Sequence, residues 1–133
     1  MFAEALAAGG MECFFPLIEH FRTQDEPAFC GLGTLVTVLN ALKIDPHRKW
    51  KGPWRHWHES LLDCCEPLDK VKEQGIVFPR LVCLARCNGA HIEAYTPAES
   101  SEDAFRQLVR RSASCVVIVS YSRKQFARRE HEV

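Results

Sequence analysis

Cys30 and Gln24 are the residues of this chain whose types and spacing point to covalent chemistry. A cysteine attacks through its thiolate, and a helix N-terminus favours that form with unpaired N–H groups and a partial positive charge. Cys30 heads the segment CGLGTLVTVLNALK (30–43), in which Leu32, Leu35, Val36, Leu39 and Leu42 recur at helical spacing. The spacing predicts a buried helix that begins at the cysteine. Gly31 lets a bound acyl group come close to the backbone, and N–H groups at the helix start can hold an oxyanion. Gln24 lies six residues upstream of Cys30, across a loop that contains Pro27, and its side-chain amide can complete such a hole. The plainer alternative is that Cys30 is a small buried apolar residue, as free cysteines often are.

Other residue clusters invite a functional reading less strongly. The sequence has seven cysteines, an odd number, and Cys64 and Cys65 are adjacent, which suits a disulfide framework badly. The opening MFAEALAAGGMECFF carries Glu4 and no basic segment, so it makes a poor signal peptide. A reducing, cytoplasmic setting with free thiols is the resulting expectation. Cys83 and Cys87 are four apart and would share a helix face. Adjacent cysteines serve one tetrahedral site awkwardly and no Cys-x2-Cys pair is present, so partly buried thiols are expected at 64, 65, 83 and 87. Thiolate binding of a soft metal is the alternative there. His56 and His58 flank Trp57 and read as a packed or solvated loop, and Trp50, Trp54 and Trp57 read as packing residues. Glu26, Arg48, Lys49 and Lys51 are ordinary surface charges, or partners for a charged peptide substrate.

The elements that must position Cys30 come from the rest of the pattern. With 133 residues and 47% hydrophobic side chains, the chain can bury a core. Basic and acidic residues balance at 17 each, which argues against nucleic acid as the main partner. Arg110, Arg111, Arg123, Lys124, Arg128 and Arg129 make the last quarter basic, a feature read as solvated surface. No apolar run approaches the roughly 18 residues a membrane span requires. Helices are expected over 2–8, within 11–22, over 59–63, 67–74, 79–87 and 101–111. HIEAYT (91–96) alternates like a strand, and CVVIVSYS (115–122) has the β-branched composition of a central one. Helices followed by strands make an α+β protein, with a helical lobe over about 1–88 and the start of a sheet lobe over about 89–133.

The layout of Gln24, Cys30 and Gly31 ahead of an apolar helix is that of papain-like enzymes. Residues 24–68, QDEPAFCGLGTLVTVLNALKIDPHRKWKGPWRHWHESLLDCCEPL, resemble the catalytic core of phytochelatin synthase. The resemblance continues through VKEQGIVFPRLVCLARCNGA (71–90) and, more loosely, through 101–111 to CVVIVSYSRKQF (115–126). It is most specific in DPHRKWKGPWR (45–55) and LDCCEPL (62–68). It implies a papain-like fold and a γ-glutamylcysteine dipeptidyltransferase that makes phytochelatins from glutathione. Cys30 would be the nucleophile, Gln24 the oxyanion donor, and Gly31 and Glu26 would lie beside the substrate. The implied partners are glutathione, phytochelatin peptides and heavy-metal ions such as cadmium, zinc or copper, met mainly as metal–glutathione thiolates. No organic cofactor is implied, and neither nucleic acid nor membrane is.

One departure bears on activity. The family carries its histidine in a glycine-His-Phe-Ser-Pro motif soon after the segment matching Tyr121 to Ala127, and its aspartate further on. Here the sequence runs Ala127-Arg128-Arg129-Glu130-His131-Glu132-Val133, and His131 has none of the motif's flanking residues. The expectation is a chain that carries the nucleophile without its base. A catalytically silent form that holds metal or metal–glutathione through its cysteines is the alternative.

Overall fold

The computed structural model describes residues 1–111 and 116–122. Among them six helices follow one another: α1 (Phe2–Ala7), α2 (Phe14–Glu19), α3 (Cys30–Ala41), α4 (Leu68–Gln74), α5 (Phe78–Cys87) and α6 (Glu102–Arg110). A 3₁₀ turn, Glu59–Leu61, lies between α3 and α4. The apolar residues of α3 explain why it is central. Leu32, Leu35, Val36 and Leu39 are all 1% exposed or less, and they gather Phe29, Trp57, Leu62, Val71, Leu84 and Ala85 around them. Helix α2, the 3₁₀ turn and α5 pack directly on α3.

Two glycines near the start of α3 weaken its intrinsic helix propensity by about 1 kcal/mol each. Their presence follows from how closely other chain segments approach. A Cβ on Gly31 would stand 2.5 Å from Ile76 Cγ2, and one on Gly33 would stand 3.1 Å from Glu59 Oε1 and 3.3 Å from Gln24 Cβ. The other end of α3 is pinned by a polar clamp. Asn40 is buried; its Oδ1 accepts from the Trp57 backbone N–H at 2.9 Å and its Nδ2 donates to the Trp57 carbonyl at 3.1 Å. The Trp57 indole N–H donates to the Ile44 carbonyl at 2.7 Å. An excursion of chain from 44 to 57 is thereby closed at its base, and the residues after Trp57 are delivered beneath α3.

Helix ends follow local chemistry. Ser101 caps α6, its hydroxyl accepting from the Ala104 N–H at 3.1 Å, and Glu102 and Asp103 complement the dipole in the first turn. Helix α4 stops at Gly75, whose φ of 72° only glycine adopts freely. No residue of α6 is buried.

The expected strands do not form among the described residues. Residues 91–96 and 116–122 run as irregular chain, and the sole β pairing among the described residues is an isolated antiparallel bridge between Lys51 and Trp54. Side-chain alternation prepares a strand, but a neighbouring strand is what makes one, and none of the described segments pairs with either stretch as a strand. Cys115, the basic residues Arg123, Lys124, Arg128 and Arg129, and His131 lie outside the described residues. The tryptophans also divide. Trp57 is 2% exposed, Trp50 is half-buried, and Trp54 is 71% exposed, so the expectation of three packing residues fails at Trp54. The Lys51–Trp54 turn carries that ring outward. No helix among the described residues is long and apolar enough to cross a membrane.

Candidate active site

Cys30 is the first residue of α3, and its side chain is exposed. The N-cap position is Phe29, which offers no side-chain hydrogen bond to the helix start. The N–H groups at the head of α3 are therefore not occupied by a capping side chain, the situation an anion at a helix N-terminus exploits. Thr34 Oγ1 donates to the Cys30 carbonyl at 2.7 Å, within the first turn.

Gln24 is half-buried in the loop before α3. Its Nε2 donates to two carbonyls of that loop, Glu26 O and Pro27 O, each at 2.8 Å. Both amide hydrogens are thus engaged three and four residues ahead of Cys30. Glu26 forms an ion pair with Lys72 of α4, Oε1 to Nζ 2.6 Å, which holds the Lys72 ammonium above its ordinary pKa. Gly31 faces Ile76. Of the other candidate charges, Arg48 bonds the Leu61 carbonyl and reaches Asp63 Oδ1 at 3.1 Å, while Lys51 lies 4.6 Å from the centre of the Trp50 ring.

A second cluster lies under the Gln24 loop, and it joins residues up to 34 positions apart. Glu59 is fully buried. Its Oε2 accepts from the Asp25 N–H at 3.3 Å and lies 3.7 Å from Arg22 Nη2. Arg22 Nη2 also meets Asp25 Oδ1 at 2.6 Å, and His58 Nε2 meets Asp25 Oδ2 at 3.2 Å. The Asp25, His58 and Glu59 ligand atoms lie within 4.8 Å of one another. The Arg22 guanidinium already supplies the cation there, so the group is an ion cluster rather than a vacant metal site. Burial raises the Glu59 pKa above 4.5 by disfavouring its charged form, with the neighbouring Asp25 charge adding to the effect and the Asp25 N–H and Arg22 opposing it. Burial likewise lowers His56, helped by His20 and Arg22, and lowers His58, helped by Arg22 and opposed by Asp25.

The Glu59 shift sets a sign for stability. Between 4.5 and its raised value, folded Glu59 keeps a proton that the unfolded chain has released. Its contribution is fully present below 4.5 and is lost as pH rises through the folded value. Urea titrations of Glu59→Gln and the parent at about pH 4 and about pH 7 should show the variant gaining ground at the higher pH. An unchanged difference between the two pH values would contradict that assignment.

The cysteine expectation is corrected by the structure. Cys64 pairs with Cys87 and Cys65 with Cys83 as disulfides, while Cys30 is free. Adjacent cysteines form two separate bridges here because of what they face. Cys83 and Cys87 do share a face of α5, as their spacing predicted, and the turn at 64–65 presents both of its sulfurs to that face, with Cα separations of 6.7 and 6.2 Å. The Cys64, Cys65 and Cys87 sulfurs lie within 4.8 Å of one another, a grouping that suits a soft metal only once the sulfurs are reduced. Thiol titration of the denatured, unreduced protein should therefore find at least four fewer thiols than after reduction, since two disulfides of two sulfurs each lie among the described residues. Equal counts would refute the pairing. Each bridge should stabilise the fold by about 3 kcal/mol through loop closure.

Asn40, Arg22, Asp25 and Glu59 were not singled out by sequence reasoning. Asn40 carried a faint signal, as a polar residue in an otherwise apolar helical run. The other three look like ordinary surface charges in the sequence, and only the return of the chain after Trp57 brings them together.

Comparison with known proteins supplies the family. The profile of the phytochelatin synthase family matches residues 1–131. The chain is 57% identical over 126 residues to glutathione gamma-glutamylcysteinyltransferase 3 of Lotus japonicus, covering 92% of this chain and 26% of that protein. Identity is 56% over 129 residues with glutathione gamma-glutamylcysteinyltransferase 1 of Arabidopsis thaliana, covering 95% of this chain and 27% of the relative. It is 42% over 130 residues with glutathione gamma-glutamylcysteinyltransferase of Schizosaccharomyces pombe, covering 93% and 31%. The chain belongs to the phytochelatin synthase family. It spans between a quarter and a third of the length of these relatives.

Proposed function

We propose that this chain supplies the nucleophile segment of a γ-glutamylcysteine dipeptidyltransferase that builds phytochelatins from glutathione. The observation that carries the reading is Cys30, exposed at the uncapped head of α3. Its thiolate attacks the carbonyl of the Cys–Gly amide of glutathione. A C–S bond forms, and the oxyanion is held by the N–H groups at the start of α3. Gln24 joins them by releasing one of its two loop carbonyls. Collapse breaks the C–N bond, glycine leaves as the amine after taking a proton, and γ-Glu-Cys remains as a thioester on Cys30. The α-amino group of a second glutathione or of a phytochelatin then attacks the thioester. The new amide bond forms, and the thiol is restored.

The fold is papain-like, with a helical lobe over about residues 1–88 and the start of a sheet lobe over about 89–133. Gly31 and Glu26 lie beside the substrate, with Glu26 exchanging its Lys72 partner for a substrate amine. Cadmium, zinc or copper arrives as a thiolate complex of glutathione, so the metal is part of the substrate. The setting is cytoplasmic, where a glutathione pool acts on exposed disulfides such as Cys64–Cys87. Neither nucleic acid nor membrane takes part.

Turnover is the test. Continued into a glycine-His-Phe-Ser-Pro segment and incubated with glutathione and cadmium, the protein should release glycine and form γ-Glu-Cys-γ-Glu-Cys-Gly, and its Cys30→Ser variant should do neither. Equal product from Cys30→Ser would overturn the assignment.

A further inference from the structure

We propose that Glu59 is a positioning residue that sets the Gln24 loop against the helix carrying Cys30. The proposal rests on the reading of Gln24 as an oxyanion donor, and it concerns a residue that touches neither thiol nor substrate. Three observations support it.

First, Glu59 is fully buried, and its Oε1 has no hydrogen-bond partner. A leucine or methionine would fill the same space without desolvating a carboxyl group, so packing alone does not account for a glutamate. Second, what its carboxyl does hold is the Gln24 loop. Oε2 accepts from the Asp25 N–H, the residue directly after Gln24, and sits 3.7 Å from Arg22, two residues before it. Arg22 and Asp25 are in turn joined at 2.6 Å, so the chain on both sides of Gln24 is tied to one buried carboxyl. Third, Gln24 and Glu59 meet over the same glycine. A Cβ on Gly33 would lie 3.1 Å from Glu59 Oε1 and 3.3 Å from Gln24 Cβ, and Gly33 is three residues after Cys30 in α3. The Asn40–Trp57 clamp fixes the register of the chain that delivers Glu59 to this spot. Helix, buttress and loop therefore close on one another within a turn of the nucleophile.

The test separates a chemical step that develops an oxyanion from one that does not. p-Nitrophenyl acetate acylates a thiolate through a tetrahedral oxyanion, and its p-nitrophenolate departs without needing a proton. Iodoacetamide alkylates the same thiolate by direct displacement of iodide, with no oxyanion. Peptide mapping by mass spectrometry reads both reactions at Cys30.

Glu59→Leu should slow ester acylation of Cys30 by about tenfold or more, while alkylation changes by less than about twofold. Glu59→Gln, which keeps an acceptor for the Asp25 N–H, should retain most of the acylation rate. In a Gln24→Ala background, Glu59→Leu should add nothing, because both act through one donor. Should Glu59→Leu not fold, Gly33→Ala carries the same test. Its methyl group presses on both Glu59 and Gln24 and should slow acylation selectively. Equal slowing of both reactions, or an effect that adds to Gln24→Ala, overturns the proposal. A parent protein acylated by the ester in a Glu59-dependent way but never by glutathione would support the positioning role while contradicting the substrate reading.

Discussion

Gln24→Ala is expected to slow acylation of Cys30 by glutathione by about 10²–10³-fold, the usual effect of losing one preorganised oxyanion donor. In the resting structure the Gln24 amide spans the Glu26 and Pro27 carbonyls, 2.8 Å from each. Those contacts hold the nitrogen in the loop that leads into α3 and fix which end of the amide carries hydrogens. Moving one N–H from a neutral carbonyl to a developing oxyanion exchanges an ordinary hydrogen bond for a charge-assisted one of roughly twice the strength. The gain appears only as the transition state forms, so it raises the rate without tightening substrate binding. Alkylation of Cys30 by iodoacetamide should stay near the parent rate. A Gln24→Ala variant that acylates within about twofold of the parent would mean that the amide never leaves its loop carbonyls.

Trp57→Ala should be the most damaging change to stability, at about 3–5 kcal/mol by urea titration with the disulfides intact. Trp57 is 2% exposed within the cluster around Leu32, Leu35 and Leu39. Truncation removes that packing and leaves the Ile44 carbonyl without its indole donor. The backbone bonds to Asn40 would survive, but a domain of this size has only about 5–15 kcal/mol of net stability to lose. A loss under about 1 kcal/mol would show that the 44–57 excursion is held by the Asn40 clamp alone.

Helix α3 was legible in the sequence because its apolar spacing, its start at Cys30 and its burial all follow from one pattern. The start of α6 and the end of α4, expected at 101 and 74, were legible for a similar reason, since Ser101 and Gly75 each work through residues a few positions away. What was not legible depends on chain returning from a distance. The pairing of Cys64–Cys65 with α5 spans 23 and 18 residues, and Glu59 meets Asp25 across 34. No local signal records such contacts. The alternation in 91–96 was a real pattern, but a strand is defined by its neighbour, and the described residues provide none. At the site, the position of Cys30 could be read directly, whereas the carbonyls that engage Gln24 and the carboxyl beneath its loop could not.

The proposal stands on Cys30 as the nucleophile that accepts the γ-Glu-Cys acyl group. Incubation with glutathione, followed by acid quench and peptide mapping, tests it most directly, on this chain and on a longer one that continues into a glycine-His-Phe-Ser-Pro segment. A γ-Glu-Cys acyl group should appear on Cys30, with glycine lost and the adduct labile to hydroxylamine as a thioester is. An acyl group on any other cysteine, or a Cys30 that stays unmodified in both chains yet still reacts with iodoacetamide, would contradict it.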